Sequence, residues 1–563
     1  MVLPLGPDSP FCSLSDLVRA HGQARPQAMA LVDEHTRWTY ARLNEVADAV
    51  ASELQQRGLE PGQAVALCAA NSAAAAAVFV GALRAGAVVV PLPSTLEAAA
   101  WGAMLRDSAA VLLWADEAGQ TRARAAGYRG DVIGLEALPA LEGRWGPPQP
   151  WTSRAEEAFN IIYSSGTTGL PKGIVQSHGM RWAHVRRGMA YGYGPHSRTL
   201  LSTPLYSNTT LVAFAPTLGL GGCAHLMQRV DAAVWRATAQ RERITHTMLV
   251  PVQYSRLLAH ADFDRTDLSS FEMKFCTSAP FSAALKAEVL RRWPGGLVEV
   301  YGMTEGGGAC ILEAHRHPHK LHTVGTPGVG HDIRLIDQAG LELPGPWNGQ
   351  GPDAHTAQIT GEVVGRSPGM MSGYHGRADL TAQALWHDAQ GRAYIRTGDV
   401  GRFDEDGFLI LMDRRKDMLI SGGFNVYPSD LEALLRQHPA VADAAVVGVP
   451  SARWGETPVA WVVLRTGGGL PRDGATRPLL GVAPVDSALG SASAPASASA
   501  SASEPPAAAA SAPDERTLLE WFNARCGKLQ RLAGLAFIEE LPRSAIGKVL
   551  KRELRDQWTM TVP

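Results

Sequence analysis

The sequence predicts an α/β fold with largely parallel sheets, and three observations carry that expectation. Residues 39–59, TYARLNEVADAVASELQQRGL, space their apolar side chains at the helical period and meet a stop signal at Gly58. AVALCAA, AVVVPL, AVLLWA and EAFNIIYSS are short apolar runs bounded by turn residues, as buried strands are. The two patterns alternate from about residue 30 to 465, as they do where helices are layered on parallel strands.

At 563 residues the chain passes the roughly 250–300 at which a single core stops growing, so more than one domain is expected. Hydrophobic residues make up 45% and charged residues 19%, enough apolar surface for real cores. A formal net charge of -2 gives no electrostatic footprint for nucleic acid or an anionic membrane. Six scattered cysteines with no CxxC pair suit reduced thiols. The N-terminus lacks a basic region followed by an apolar run. The longest apolar stretch, Ser72 to Leu83, is too short and alanine-rich to span a bilayer. A cytoplasmic protein with no membrane span is expected.

Composition shifts sharply at residues 466–513, whose second half reads SASAPASASASASEPPAAAASAP. That run has no bulky apolar side chains to offset its ordering entropy, so the segment is expected to be disordered. Ordinary sequence resumes with a helical DERTLLEWFNARC and a basic C-terminal helix, VLKRELRDQW. A long insertion between fixed ends costs on the order of 0.6 kcal/mol per doubling of length. Deleting Ser491 to Ala512 is therefore expected to leave the activity of the chain nearly intact, and a large fall in turnover would refute that.

The strongest local signal is YSSGTTGLPKG, Tyr163 to Gly173, at the end of the apolar run NIIYSS. Ser164, Ser165, Gly166, Thr167, Thr168 and Gly169 offer hydroxyls and approachable backbone N–H groups for phosphate oxygens, and Lys172 adds a point charge. It is not a Walker A loop, since Lys172 lies between Pro171 and Gly173 rather than ahead of Ser or Thr. Two other patterns carry less. Gly219-Leu-Gly221-Gly-Cys-Ala224 fits a dinucleotide fingerprint but lacks the acidic residue about 20 positions on and a preceding strand. HRHPHKLH, 315–322, has four histidines at no standard metal spacing and reads as a solvated loop.

Four further segments follow the loop in order: Tyr301-Gly302-Met303-Thr304-Glu305, Thr397-Gly398-Asp399, DRRKDMLISGGFNVYPSDLE at 413–432, and PRSAIGK at 542–548. With the loop they resemble the adenylate-forming superfamily of acyl-CoA synthetases, luciferases and adenylation domains, over about residues 12–556. The resemblance implies a large multi-layer N-terminal domain, 1–412, of two α/β sheet subdomains and a small distorted β-barrel, binding AMP and the acyl group. It implies a small mobile α+β lid domain at 413–563, interrupted by the low-complexity insert.

By the same resemblance the 163–173 loop holds the β- and γ-phosphates of ATP, and Glu305 with Ser164 holds Mg²⁺. Asp399 and Arg414 serve the ribose, Ser278-Ala279-Pro280 lies along adenine, and Tyr301 stacks on it. Lys548 bridges the substrate carboxylate and the α-phosphate, so Lys548, Glu305 and Lys172 form the implied catalytic set. The C-terminal domain swings about Lys416, and Gly422-Gly423 leaves room for the pantetheine arm of coenzyme A. The chemistry implied is activation of a carboxylic acid to acyl-AMP, then transfer to coenzyme A.

Tyr206, Ser207, Asn208, Gly306 and Gly307 match the acyl pocket, and the small residues near 219–224 border it. Ser207 stands where many acyl-CoA synthetases have histidine, and Gly306 to Gly308 suggest few bulky walls, favouring a bulky, branched, cyclic or aromatic acid. Loading of a carrier protein is the nearest rival, but no aspartate lies between Tyr193 and Val230 to pair with an α-amine. A luciferase-type oxygenase shares the motifs, and a non-catalytic nucleotide-binding regulator would have no need of Lys548, Asp399 and Glu305 together. A homodimer, and a lysine acetyltransferase that removes the charge of Lys548, are the macromolecular partners expected.

Overall fold

A computed structural model describes residues 6, 9–93, 96–164, 172–346, 356–414, 417–421, 424–451, 454–465, 513–544 and 547–561. The chain divides into two compact units, Met1–Leu411 and Met412–Pro563.

The 39–59 segment forms the helix Tyr40–Gln56, begun by Thr39, whose hydroxyl accepts from the Arg42 N–H, and followed by Gly58 at φ +81°. The four apolar runs form the strands Ala64–Cys68, Val88–Pro91, Leu112–Ala115 and Ala158–Ser164. They are neighbours in one seven-stranded sheet and pair in parallel. At one side of that sheet Ala158–Ser164 turns antiparallel onto Lys172–Ser177, which pairs with Gly373–Tyr374.

A second sheet of nine strands is parallel through Gly296–Tyr301, Met273–Cys276, His246–Leu249, Arg198–Leu201, Cys223–Leu226 and Met29–Val32. Its outer strands are antiparallel. The alanine-rich stretch becomes the helix Ala73–Arg84, buried along its whole length in the largest core cluster. Only alanine and glycine allow such close approach: a Cβ on Gly81 would lie 2.7 Å from Val50 Cβ. A third, antiparallel sheet runs Asp332–Ile336, Gly361–Arg366, Ala393–Phe403 and Leu385–His387, in the part of the chain expected to form the small barrel.

The second unit is α+β. The strands Phe424–Val426, Leu419–Ser421, Gly455–Leu464 and Val441–Ser451 pair in that order, and Gly534–Phe537 lies parallel to Gly455–Leu464. The helices Pro428–Leu435, Glu515–Asn523 and Lys551–Thr561 pack on it, the first two sharing a core around Leu431, Leu435, Leu518 and Phe522. Residues 466–512 of the low-complexity segment lie outside the described residues. Among the described residues no helix is long and apolar enough to cross a membrane.

Candidate active site

The glycine-rich loop joins two antiparallel strands, with Ser164 opposite Lys172 at their open end. The helix that follows, His178–Ala190, begins only after the second strand. Among the described residues no helix N-terminus directly follows the loop, which separates it physically from a Walker loop. Ser165, Gly166, Thr167, Thr168, Gly169 and Pro171 lie outside the described residues, as do Lys416, Gly422 and Gly423.

Tyr374, which the sequence patterns passed over, links two of the expected catalytic residues. Its backbone pairs with Ile174, the Lys172 ammonium lies 5.1 Å from its ring centroid, and its hydroxyl donates to Glu305 Oε1 at 2.9 Å. Burial beside the Glu305 carboxylate raises the Tyr374 pKa, so the phenol stays a donor. The backbone around Glu305 is fixed as well. Met371 N–H donates to the Glu305 carbonyl (2.8 Å), Gln176 Nε2 to the Thr304 carbonyl (2.7 Å), and Gly306 N–H to the Met303 carbonyl (3.0 Å).

Glu305 is a hard oxygen donor, and among the described residues no set of three His, Cys, Asp or Glu side chains surrounds it or forms elsewhere. One carboxylate suits Mg²⁺, which keeps several waters and takes its other ligands from substrate phosphates.

Tyr301, at the end of Gly296–Tyr301, donates its hydroxyl to Asp399 Oδ2 at 2.8 Å. Asp399 N–H donates to Thr397 Oγ1 (3.0 Å), Thr397 Oγ1 donates to the Val363 carbonyl (2.7 Å), and Gly398 takes φ +70°. The Thr-Gly-Asp motif is thus a bend inside Ala393–Phe403 that aims the aspartate at Tyr301. Ser278 follows the strand Met273–Cys276 with φ +80°, rare for a residue with a side chain, and its hydroxyl meets Thr209 Oγ1 at 2.6 Å. Ala279 is half-buried and Pro280 exposed in the same turn. Ser207 caps the helix Asn208–Gly219 by accepting from Thr209 N–H, and Tyr206 before it is half-buried.

In the second unit Lys548 stands in a tight turn. Ser544 N–H donates to its carbonyl (2.8 Å), its N–H donates to Ser544 Oγ (3.2 Å), and Gly547 takes φ +76°. Arg543 braces the turn through the Gly547 carbonyl (2.7 Å) and Asp443 (2.5 Å). Arg414 donates its N–H to the Asp413 carboxylate at 2.7 Å, and Asp413 also accepts from Ser429 N–H.

Two expectations need correcting. Gly306 and Gly307 do not leave open space over their Cα atoms: a Cβ would fall 1.8 Å from the Gly369 carbonyl oxygen and 2.3 Å from Ile395 Cβ, respectively. Close packing, not a roomy pocket, requires glycine there, so these residues give no ground for a bulky substrate. Gly306→Ala, also strained at φ +70°, is expected to lose at least about 1–3 kcal/mol of stability, measured by thermal unfolding. Unchanged melting with altered acid preference would restore the open-pocket reading.

The small residues at 219–224 likewise serve packing. Gly219 ends a helix, its carbonyl is hydrogen-bonded to His21 Nε2 (3.0 Å), and Gly221 abuts the same ring. A helix leads into this segment and the strand Cys223–Leu226 begins inside it, whereas a dinucleotide fingerprint follows a strand. The loop at 315–322 is solvated as expected, with His315, Arg316, Pro318, His319 and His322 exposed, and Lys320 anchors it through ion pairs with Asp404 (2.8 Å) and Asp406 (2.5 Å).

Comparison with known proteins matches the same architecture. Residues 18–375 match the family model for the AMP-binding enzyme, and 430–496 that for the AMP-binding enzyme C-terminal domain. The chain is 31% identical over 541 residues to a feruloyl-CoA synthase of an Amycolatopsis species, covering 95% of this chain and 96% of that one. It is 29% identical to the 2-succinylbenzoate–CoA ligase of Geobacillus kaustophilus, covering 94% and 95%. The solved structure of ATP-bound MatB from Rhodopseudomonas palustris superposes with a TM-score of 0.79 at 25% identity, covering 97% and 99%. Both domain models matched in order, with a relative 31% identical across 95% of this chain, make this chain a member of the adenylate-forming superfamily and of its acyl-CoA synthetases, AMP-forming ligases that use ATP, Mg²⁺ and coenzyme A.

Proposed function

We propose that the ligase chemistry runs through the residues singled out above, with an aromatic carboxylic acid as substrate. The arrangement of Lys172, Tyr374 and Glu305 at the mouth of the glycine-rich hairpin carries the reading. A cation and a carboxylate share one tyrosine there, where a polyphosphate and its counter-ion would need both.

In this reading the 165–171 loop and Lys172 take the β- and γ-phosphates. Glu305 and Ser164 hold Mg²⁺, which when bound neutralises phosphate charge. Asp399, oriented by Tyr301, and Arg414 hold the ribose; Ser278-Ala279-Pro280 and the Tyr301 face hold adenine. The acid lies by Tyr206, Ser207 and Asn208. One of its carboxylate oxygens attacks the α-phosphorus, the bond to pyrophosphate breaks, and Lys548 neutralises the two anions as they meet. Rotation about Lys416 then brings Gly422-Gly423 to the site, and the thiol of coenzyme A displaces AMP.

An aromatic acid is supported by relatives named for feruloyl and 2-succinylbenzoate substrates. A cytoplasmic location, a homodimer and acetylation of Lys548 belong to the same proposal. A carboxylic-acid panel, read by coenzyme A-dependent AMP release, tests it. Turnover confined to straight-chain aliphatic acids would overturn the aromatic assignment, and transfer only to a carrier protein would overturn the acceptor.

A further inference from the structure

The hairpin that carries Lys548 is fastened on both legs, and the fastenings belong to one chain of alternating charges. Leu550 N–H donates to the Pro542 carbonyl (2.8 Å), Arg543 pairs antiparallel with Val549, and Ser544 closes on Lys548 as described above. Arg543 therefore stands on the incoming leg. Lys551 opens the helix Lys551–Thr561 at the foot of the outgoing one.

From Arg543 the charges alternate across two further elements. Its Nη2 donates to Asp443 Oδ2 (2.5 Å), near the start of the strand Val441–Ser451. Asp443 Oδ1 accepts from Arg436 Nε at 3.2 Å, and Arg436 follows directly on the helix Pro428–Leu435. Arg436 Nη2 lies 3.6 Å from Glu432 Oε2, one turn back on that helix. Glu432 Oε1 then meets Lys551 Nζ at 2.9 Å, which closes the chain on the other side of Lys548.

The backbone holds both carboxylates and the central arginine. Asp443 Oδ1 also accepts from Ala444 N–H (2.8 Å) and Glu432 Oε1 from Val446 N–H (2.9 Å), while Arg436 Nη2 donates to the Ala444 carbonyl (2.8 Å). The Lys551 and Glu432 side chains are 18% and 13% exposed, so that end of the chain is largely withdrawn from water. Isolated surface ion pairs contribute little, but charges joined in a network with backbone donors on their carboxylates fix geometry.

The two helices concerned are anchored in the core by other residues, Leu431 and Leu435 on one, Leu554 and Trp558 on the other. Apolar packing is non-directional. The charge chain adds a fixed height and angle for the hairpin between those helices.

We propose that Glu432, Arg436 and Asp443 are positioning residues for adenylation. With Arg543 and Lys551 they hold the hairpin so that Lys548 meets the acid carboxylate and the α-phosphate in the geometry the reaction needs. The proposal rests on the ligase reading above, in which Lys548 acts in the first half-reaction. A misplacement of about 1 Å costs up to roughly 100-fold in rate.

Glu432→Gln keeps the shape and the acceptor for Val446 N–H but removes the charge between Arg436 and Lys551. It is expected to lower kcat for acid-dependent ATP–pyrophosphate exchange about tenfold, with KM for ATP and for the acid within about twofold. Thioester formation from supplied acyl-adenylate is expected to stay within about twofold of the wild-type rate. Arg436→Met, which cuts the chain at its middle, should do the same, and Arg436→Lys should recover part of the loss. Equal losses in both half-reactions would mean that the pairs only hold the domain together, and would overturn the proposal. So would wild-type exchange in either variant, or a loss confined to KM. Each variant decides the matter alone if the other fails to fold. Lys548→Ala, run alongside, separates the two readings. If it slows exchange and these variants do not, the ligase reading stands and this one falls; if it exchanges at the wild-type rate, both fall.

Discussion

Lys548→Ala is expected to lower acid-dependent ATP–pyrophosphate exchange on the order of 100- to 1000-fold while leaving thioester formation from supplied acyl-adenylate close to the wild-type rate. The first half-reaction brings a carboxylate against a phosphate, and a single ammonium is asked to offset that repulsion. The second begins with the bond already made, so the same charge has no anion pair left to join. The turn that presents Lys548 is held by Ser544, Gly547 and Arg543, none of which needs the lysine side chain. The alanine variant therefore keeps the hydrogen bonds that shape this turn. Equal losses in both half-reactions would show that Lys548 does not divide the labour in this way.

Glu305→Gln is expected to reduce the same exchange by roughly 100-fold and to raise the Mg²⁺ concentration needed for half-maximal rate. The amide keeps the shape and can still accept from Tyr374, so the change isolates the negative charge. Tyr374→Phe makes the complementary test. It keeps the charge and removes the 2.9 Å hydrogen bond, so a loss of about tenfold or less is expected. Wild-type Mg²⁺ dependence in Glu305→Gln would exclude this carboxylate from the metal, and a Tyr374→Phe loss as large as that of Glu305→Gln would mean the tyrosine does more than position it.

Much of the candidate site was legible as motifs because its residues come in short contiguous blocks with their own backbone demands. The Thr-Gly-Asp bend needs glycine at φ +70°, and the glycine-rich loop sits directly on a strand end. Tyr374 was not legible, since its role depends on the pairing of Gly373–Tyr374 with Lys172–Ser177, about 200 residues earlier in the chain. Gly306 and Gly307 were misleading for a related reason. A glycine marks a missing side chain, but whether ligand or protein fills the space depends on Gly369 and Ile395.

By itself the sequence determined the alternation of strands and helices and the chemistry-bearing motifs, which follow from local periodicity and from turn residues whose preferences act within a few positions. The division into a large and a small unit was implied by the family resemblance those motifs carry. Only the tertiary structure decided that the alanine-rich stretch is a buried helix rather than a surface one. It alone tied Glu305 to Tyr374 and Asp399 to Tyr301, and brought Asn160, Gln176 and Asn208 around a buried arginine. Those outcomes depend on which distant side chains share a low-dielectric interior, a property no local pattern encodes.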